Sequence, residues 1–431
     1  MRALAALLIL TLTATGCSRR ERGNPFDPGN PATGGRPAGF VALAGNSNIV
    51  LRWQRLQGDL VGYRLARRVE GDSIFRVLVE LVPPTTTSYA DFGLQNGKRH
   101  TYRLSFVFSA GPASDAAEDF GIPGPLRPWV TAFGSGELLR LTADGRRVLS
   151  SDPFYVNPTA VAVDPTQGLV WVSDPYSGVV VRINPGNGER LIVNDPGLPG
   201  AIAIDPVRHT AWVCDERQGE VAQFRSDGEP GVPPAIGPIQ LALAVAVDPL
   251  DQSVWVCDNG ARAVRQFTTT GLARWARSLP RPSRIAIDSL TRIGWVTSFE
   301  SSVVMRVASN GAVLDTLHGF LGPIGVAVDA RRGRVWIADA VAGTIVALHR
   351  DGTVEHRTPG FSEVRELAVD LATGNVWATV PGDGRVVVLS PAGAIVTQIA
   401  GLSLPHAIAL DPGTALSAGL ASRVSRRNSR E

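Results

Sequence analysis

The sequence is organised around one spacing, an aspartate followed seven residues later by a tryptophan. Six such pairs recur at intervals of 40, 41 or 43 residues. They are Asp164–Trp171, Asp205–Trp212, Asp248–Trp255, Asp288–Trp295, Asp329–Trp336 and Asp370–Trp377. Trp129 precedes the first pair without its aspartate, and Asp411 follows the last pair without its tryptophan. A period of this length predicts an array in which each repeat is one supersecondary unit.

Each repeat carries signals for four short strands. An apolar run such as 160–163 precedes each aspartate, and the tryptophan lies in a second run, as at 169–173. The position twelve residues beyond each tryptophan is also apolar, which indicates a third strand. An Asp-Gly or Asn-Gly pair such as Asp144-Gly145 then favours a tight hairpin into a fourth strand. Four antiparallel strands repeated radially are typical of a β-propeller.

The unmatched ends predict how the repeats close into a ring. Trp129 begins a repeat at its second strand, whereas Asp411 ends one at its first strand. Together they complete one blade, which removes the open edges of the array. The predicted fold class is therefore all-β, with a seven-bladed β-propeller over 124–415. A six-bladed ring is the alternative.

The repeat motif also carries a family resemblance. The pattern Pro-x-Gly/Ala-Val-Ala-Val-Asp, followed by Val-Trp-Val-x-Asp, resembles the NHL repeat and its YVTN-like relatives. NHL propellers are often six-bladed, whereas the repeat count here favours seven.

The N-terminus is typical of a secretory signal over 1–16. Arg2 precedes an apolar run at 3–12 that is too short to span a bilayer as a permanent helix. The small residues before Cys17 resemble the bacterial lipoprotein box, although Ala14 stands where that family usually has leucine. This resemblance implies a lipid on Cys17 and an extracytoplasmic protein anchored to the bacterial membrane. Ser18 implies the outer membrane if the source is Gram-negative, and a plain secreted protein is the alternative.

Two further segments precede the repeats. Residues 17–38 are rich in proline and glycine, which predicts an extended linker. Residues 39–123 contain about seven short strand signals, the pattern of a β-sandwich. Trp53, Tyr63 and the segment Leu94…Tyr102-x-Leu104 resemble a fibronectin type III domain. At the other end, 416–431 is predicted to be a disordered tail.

Composition and motifs exclude several functions. The formal net charge is only +3 and is scattered, so we expect no nucleic-acid partner. Cys214 and Cys257 occupy a small-residue slot of the repeat and are predicted to be buried thiols. No histidine pair has metal-ligand spacing, and no phosphate loop or nucleophile elbow is present. The sequence therefore predicts no cofactor, no metal and no catalytic residue.

The candidate site lies where the repeats stop repeating. Asp174 and its equivalents three residues after a tryptophan are repeated, so we expect them to accept backbone N–H groups in turns. The start of each innermost strand, which faces the central funnel, is small or apolar in most repeats. Three repeats differ, and their polar residues predict a funnel mouth that binds an anionic or sugar-like ligand. These residues are Arg284, Arg365, Glu366 and His406. The alternative is that they are exposed loop charges.

The leading functional hypothesis is a lipid-anchored extracytoplasmic binding or interaction protein without catalysis. Its expected partner is a protein or glycan of the cell envelope, together with the membrane that holds the anchor. A funnel enzyme resembling streptogramin lyase or gluconolactonase is one alternative. Those enzymes use acidic, asparagine or histidine residues that converge at the centre, and the sequence shows no matching set. A structural component of a cell-surface assembly is the other alternative.

Overall fold

The computed structural model describes residues 26–27, 30, 33–56, 60–194 and 197–413. The predicted signal 1–16, Cys17 and the tail 416–431 lie outside these residues. The described chain is all-β, with 35 strands and one short 3₁₀ turn at Pro381–Asp383. None of its helical segments is long or apolar enough to cross a bilayer.

Seven strands precede the repeats and form two antiparallel sheets. Their orders are β1-β2-β5 and β4-β3-β6-β7. The strands are β1 (Val41–Ala44), β2 (Asn48–Arg52), β3 (Gly62–Val69), β4 (Arg76–Val82), β5 (Ser88–Phe92), β6 (His100–Phe108) and β7 (Gly111–Gly121). The aromatic residues that the sequence singled out are buried, and the rings of Trp53 and Tyr63 lie 5.5 Å apart.

The described chain divides into two compact units. One contains the described residues up to 42 with those of 50–91 and 98–121, and the other contains 43–49, 92–97 and the described residues from 122 onwards. Phe26 belongs to the first unit although it falls within the predicted linker 17–38. Its ring packs edge-on against Phe106 at 4.9 Å and Phe108 at 5.3 Å. Phe26 thus contributes an aromatic contact to the first unit.

From residue 127 the chain forms seven antiparallel sheets of four strands each. Six of them use four consecutive strands. These strands are β11 (Ala160–Val163), β12 (Val170–Asp174), β13 (Val179–Asn184), β14 (Glu189–Asn194), β15 (Pro199–Asp205), β16 (Thr210–Asp215), β17 (Glu220–Arg225), β18 (Pro230–Ile236), β19 (Ala242–Val247), β20 (Val254–Asp258), β21 (Ala263–Phe267), β22 (Ala273–Ser278), β23 (Pro282–Ile287), β24 (Gly294–Ser298), β25 (Val303–Val307), β26 (Val313–Leu317), β27 (Pro323–Asp329), β28 (Arg334–Asp339), β29 (Thr344–His349), β30 (Val354–Pro359), β31 (Leu367–Val369), β32 (Val376–Val380), β33 (Arg385–Leu389) and β34 (Ile395–Ala400).

The remaining sheet joins the two ends of the repeat region. It contains β8 (Arg127–Ala132), β9 (Glu137–Leu141), β10 (Val148–Asp152) and β35 (Pro405–Asp411), in the order β10-β9-β8-β35. Ala409 pairs with Trp129, and Arg127 Nη1 lies 3.3 Å from Asp411 Oδ2. Each sheet is named below after its innermost strand: β11, β15, β19, β23, β27, β31 or β35. Each innermost strand contacts the next, and β35 contacts β11. This arrangement is a β-propeller.

The repeated tryptophans fill the space between neighbouring sheets. All seven are buried, with at most 7% of their surface exposed. Trp212 packs with residues of the β19 sheet, and Trp336 packs with residues of the β31 sheet. A Cβ atom on Gly294 would lie 2.6 Å from the Trp255 ring, so this contact requires glycine. The repeated tryptophans thus provide large apolar contacts between successive sheets.

The repeated aspartates fix the loops, as the sequence predicted. Asp258 is fully buried, and its Oδ1 accepts backbone N–H groups from Gln240, Leu241 and Ala261. These three donors lie on two loops, one before β19 and one after β20. A single carboxylate therefore joins both loops at one end of its sheet.

Candidate functional site: the central cavity

The centre of the propeller encloses a cavity of about 890 Å³. Residues from all seven sheets line it, at the starts of the innermost strands and in loops that follow the second strands. Both segments reach the same end of a sheet because the two strands are antiparallel. The volume falls within the range of small-ligand sites, about 300 to 1,000 Å³.

The structure places Arg284, Arg365, Glu366 and His406 together in this cavity. Arg284 lies near the start of β23, and its Nε lies 3.2 Å from Oε2 of Glu366. Its Nη1 also donates to the carbonyl oxygen of Leu243, at 3.3 Å. The β27 sheet lies between the sheets of Arg284 and Glu366, so this ion pair crosses the interior of the ring. Arg284 is therefore already paired with a protein carboxylate.

Arg365 differs from Arg284 because its guanidinium makes no hydrogen bond or ion pair within the described part of the chain. Its Nε is buried without an acceptor. Two neighbouring backbone amides anchor the segment, since Arg365 N donates to Thr379 O and Glu366 N donates to Thr379 Oγ1. Burial lowers the pKa of Arg365, and the charge of Arg284 lowers it further. Because buried donors are nearly always partnered, this group is ready to bind an acceptor.

His406 presents an acceptor to the same cavity. Its Nδ1 lies 2.8 Å from the carbonyl oxygen of Thr159, so Nδ1 carries the proton and Nε2 is the acceptor. The ring stacks on Phe133 with centroids 5.7 Å apart. Burial lowers the pKa of His406 to about 3, with further contributions from the charges of Arg365 and Arg284. The imidazole is consequently neutral at physiological pH.

Sequence reasoning missed several polar residues that line the cavity. These are Tyr176, Glu216, Asn259, Arg281 and Glu300. Four of them lie in loops after second strands, whereas the four predicted residues lie at or just before the starts of innermost strands. A signal was available, because the residue directly after each turn aspartate is not repeated: it is proline at 175, glutamate at 216 and asparagine at 259.

Glu216 is the carboxylate counterpart of Arg365. It makes no side-chain hydrogen bond or ion pair within the described residues. Burial raises the pKa of its carboxyl, while the charge of Arg284 lowers it and that of Asp215 raises it. Arg281 and Glu300, in contrast, pair at 3.2 Å in a more exposed position. The cavity lining thus contains three arginines and three glutamates, and two pairs among them leave Arg365 and Glu216 without an ion-pair partner.

Metal ligation has no support in the described residues. No group of three or more histidine, cysteine, aspartate or glutamate side chains is placed there to hold a metal ion. Cys214 and Cys257 are free, fully buried thiols. What the site offers is fixed charge, one neutral imidazole and the aromatic rings of Tyr176 and Phe299. These groups suit the binding of a polar ligand.

The fold and the cavity together define the class, a β-propeller with a polar central site. No protein-family model and no curated protein matches the chain. Among solved structures, a protein of unknown function from Desulfotomaculum acetoxidans is similar, with a TM-score of 0.58 and 13% identity over 67% of this chain and 99% of that one. A catalytically inactive histidine-to-alanine variant of virginiamycin B lyase from Staphylococcus aureus, with quinupristin, has a TM-score of 0.50 and 14% identity, over 64% of this chain and 88% of that one. These similarities show the propeller fold.

Proposed function

We propose that this protein is a lipid-anchored extracytoplasmic binding protein whose central cavity holds an anionic ligand. The observation that carries the proposal is the guanidinium of Arg365, which faces the cavity with a buried Nε and no protein acceptor. Arginine binds carboxylates through paired, charge-assisted hydrogen bonds. His406 Nε2 accepts a hydrogen bond from a hydroxyl group of the same ligand. A carboxylate-bearing sugar provides both groups.

Binding of matched trisaccharides tests this proposal. We expect a galacturonic acid trisaccharide to bind the full chain in a calorimetric titration, and the neutral galactose trisaccharide to bind at least tenfold more weakly. Arg365→Gln should remove this preference, since a hydrogen bond to a charged group contributes about 1.5 to 3 kcal/mol. Arg331→Gln is the matched control, because Arg331 is exposed in the loop after β27, at the opposite end of that strand from the cavity residue Ile324. Equal binding of both sugars by the wild-type protein would sink the proposal.

A funnel enzyme is the second candidate, and one feature favours it. The lyase variant with a similar fold is inactive without a particular histidine, and His406 here presents a free Nε2 to the cavity. The low pKa of His406 counts against it, because a general base works best with a pKa near the operating pH. Release of a product from quinupristin by wild-type protein, absent in His406→Ala, would replace the binding proposal with the enzymatic one.

The domain organisation belongs to the same proposal. Seven four-stranded sheets with consecutive contacts between innermost strands support a seven-bladed ring. Two sheets of three and four strands support a fibronectin type III-like sandwich over 39–123. The resemblance to the NHL repeat stays a prediction, as does the role of the protein as a binding module rather than part of a surface assembly.

The anchor rests on Cys17 and has its own test. We expect labelled palmitate to be incorporated into the wild-type protein in bacterial cells and the protein to fractionate with membranes. Cys17→Ala should abolish both, because one thioether-linked lipid group supplies the membrane affinity. Unchanged membrane fractionation of Cys17→Ala would contradict the anchor and leave the cavity proposal intact.

A further inference from the structure

The charges that face the cavity are balanced in number but not in position. Arg284 pairs with Glu366 and Arg281 pairs with Glu300, which leaves one cation, Arg365, and one anion, Glu216. Neither makes an ion pair or a side-chain hydrogen bond within the described residues. A purely anionic ligand would use Arg365 and would leave the half-buried carboxylate of Glu216 without a counter-charge while displacing water from the cavity, at a cost in free energy.

These two groups stand on opposite walls. Arg365 precedes β31, and Glu216 follows β16 of the β15 sheet. Two sheets separate them in one direction around the ring and three in the other, which is the widest separation that seven sheets allow. Neither group is among the charges that shift the pKa of the other. One ligand can reach both only if its own two charges are well separated.

The lining between the two walls is largely apolar. Ala160, Ala201, Ala244, Leu243 and Ile324 come from the starts of four innermost strands. A sphere of 890 Å³ is about 12 Å across, and three extended residues of a peptide span about 10 to 11 Å. A single amino acid is too short, because its ammonium and carboxylate groups are attached to the same carbon atom.

We propose that the cavity binds a ligand with a carboxylate at one end and an ammonium group at the other, about 10 Å apart, as in a short peptide with free termini. Arg365 binds the carboxylate, and Glu216 binds the ammonium group. This inference rests on the proposed function, since it keeps Arg365 as the carboxylate-binding residue and assigns a second recognition residue to the same cavity. The raised pKa of Glu216 is consistent with it, because a bound cation would favour the ionised form that burial disfavours.

Capped tripeptides test each end separately. The probes are Ala-Ala-Ala, its N-acetyl form, its C-terminal amide, and free alanine, titrated calorimetrically into the full chain. We expect wild-type protein to bind Ala-Ala-Ala at least tenfold more tightly than either capped form or alanine. Glu216→Gln should bind Ala-Ala-Ala and its N-acetyl form equally and still discriminate against the amide. Arg365→Gln should show the reverse, and thermal melting of both variants establishes that they are folded.

The outcomes separate this inference from the function on which it rests. Equal binding of all three tripeptides, or discrimination in wild type that Glu216→Gln leaves unchanged, would overturn the role of Glu216. Binding of the galacturonic acid trisaccharide without binding of any tripeptide would retain the anionic site and overturn the two-charge ligand. Failure of both probe classes would overturn both.

Discussion

Acid should destabilise this protein through His406. Its pKa in the folded state is about 3, set first by burial and then by the charge of Arg365, with a smaller effect from Arg284. A histidine in an unfolded chain titrates near 6.5. The unfolded state therefore binds the proton more readily than the folded state. Stability attributable to this residue is complete above about pH 6.5 and falls steadily as the pH drops towards 3.

The magnitude follows from the linkage relation. Each pH unit between the two pKa values costs about 1.4 kcal/mol, so a fall from pH 7 to pH 5 costs about 2 kcal/mol. Arg365 and Arg284, the charged groups that act on His406, keep their charge over this range. The ring also contacts Phe133 and the carbonyl oxygen of Thr159, neither of which titrates. Protonation would therefore place a third cation beside two existing ones.

Urea unfolding at pH 7 and pH 5 measures this effect. The free energy of unfolding of His406→Gln should depend on pH by about 2 kcal/mol less than that of the wild-type protein. His318→Gln is the control, since His318 is exposed, and it should follow the wild type. All other titrating groups cancel in the comparison. Equal pH dependence in His406→Gln and wild type would refute the assignment of His406 as a buried neutral imidazole.

Three further predictions concern the framework. Asp258→Ala should lower the free energy of unfolding by about 3 to 5 kcal/mol, because three backbone N–H groups and the guanidinium of Arg265 lose the Asp258 carboxylate. The control Asp227→Ala, in an exposed turn, should change the free energy of unfolding far less. Deletion of 405–431, which removes β35, should lower the midpoint of urea unfolding strongly, while deletion of 414–431 should not. Equal midpoints for the two deletions would contradict closure of the ring through β35. Cys214 and Cys257 should react with a thiol reagent only in denaturant, because burial raises the pKa of both thiols; rapid labelling of folded protein would show that they are accessible.

The sequence predicted the framework well because the framework is periodic. In the sequence, Trp129 has no preceding aspartate and Asp411 has no following tryptophan. In the structure their strands pair with each other, with Trp129 opposite Ala409 and Asp411 opposite Arg127. Alternating apolar residues and short apolar runs indicate which faces of a strand are buried, and this can be read for each strand separately.

The site was only partly predictable. The four residues chosen from breaks in the repeat do line one cavity, but their pairing was not foreseeable. Contact between Arg284 and Glu366 depends on the radius of the ring and on side-chain reach, which no repeat pattern records. Glu216 was within reach of the same reasoning. The loop after a second strand returns to the end of the sheet where the innermost strand begins. The variable residue in that loop therefore lies near the variable residues at the starts of the innermost strands.

The division between repeated and variable residues has a physical consequence for specificity. Asp215 is fully buried, and its Oδ1 accepts the backbone N–H groups of Leu198, Arg217 and Gln218. These bonds hold the loop through its backbone and not through the side chain of Glu216. The side chain at 216 can therefore change without loss of the loop conformation that aims it into the cavity. Asn259, beside Asp258, differs from Glu216, because it lines the cavity and its side-chain Nδ2 also donates to the carbonyl oxygen of Pro282, at 3.3 Å. A change at 259 is therefore expected to affect stability as well as the cavity lining.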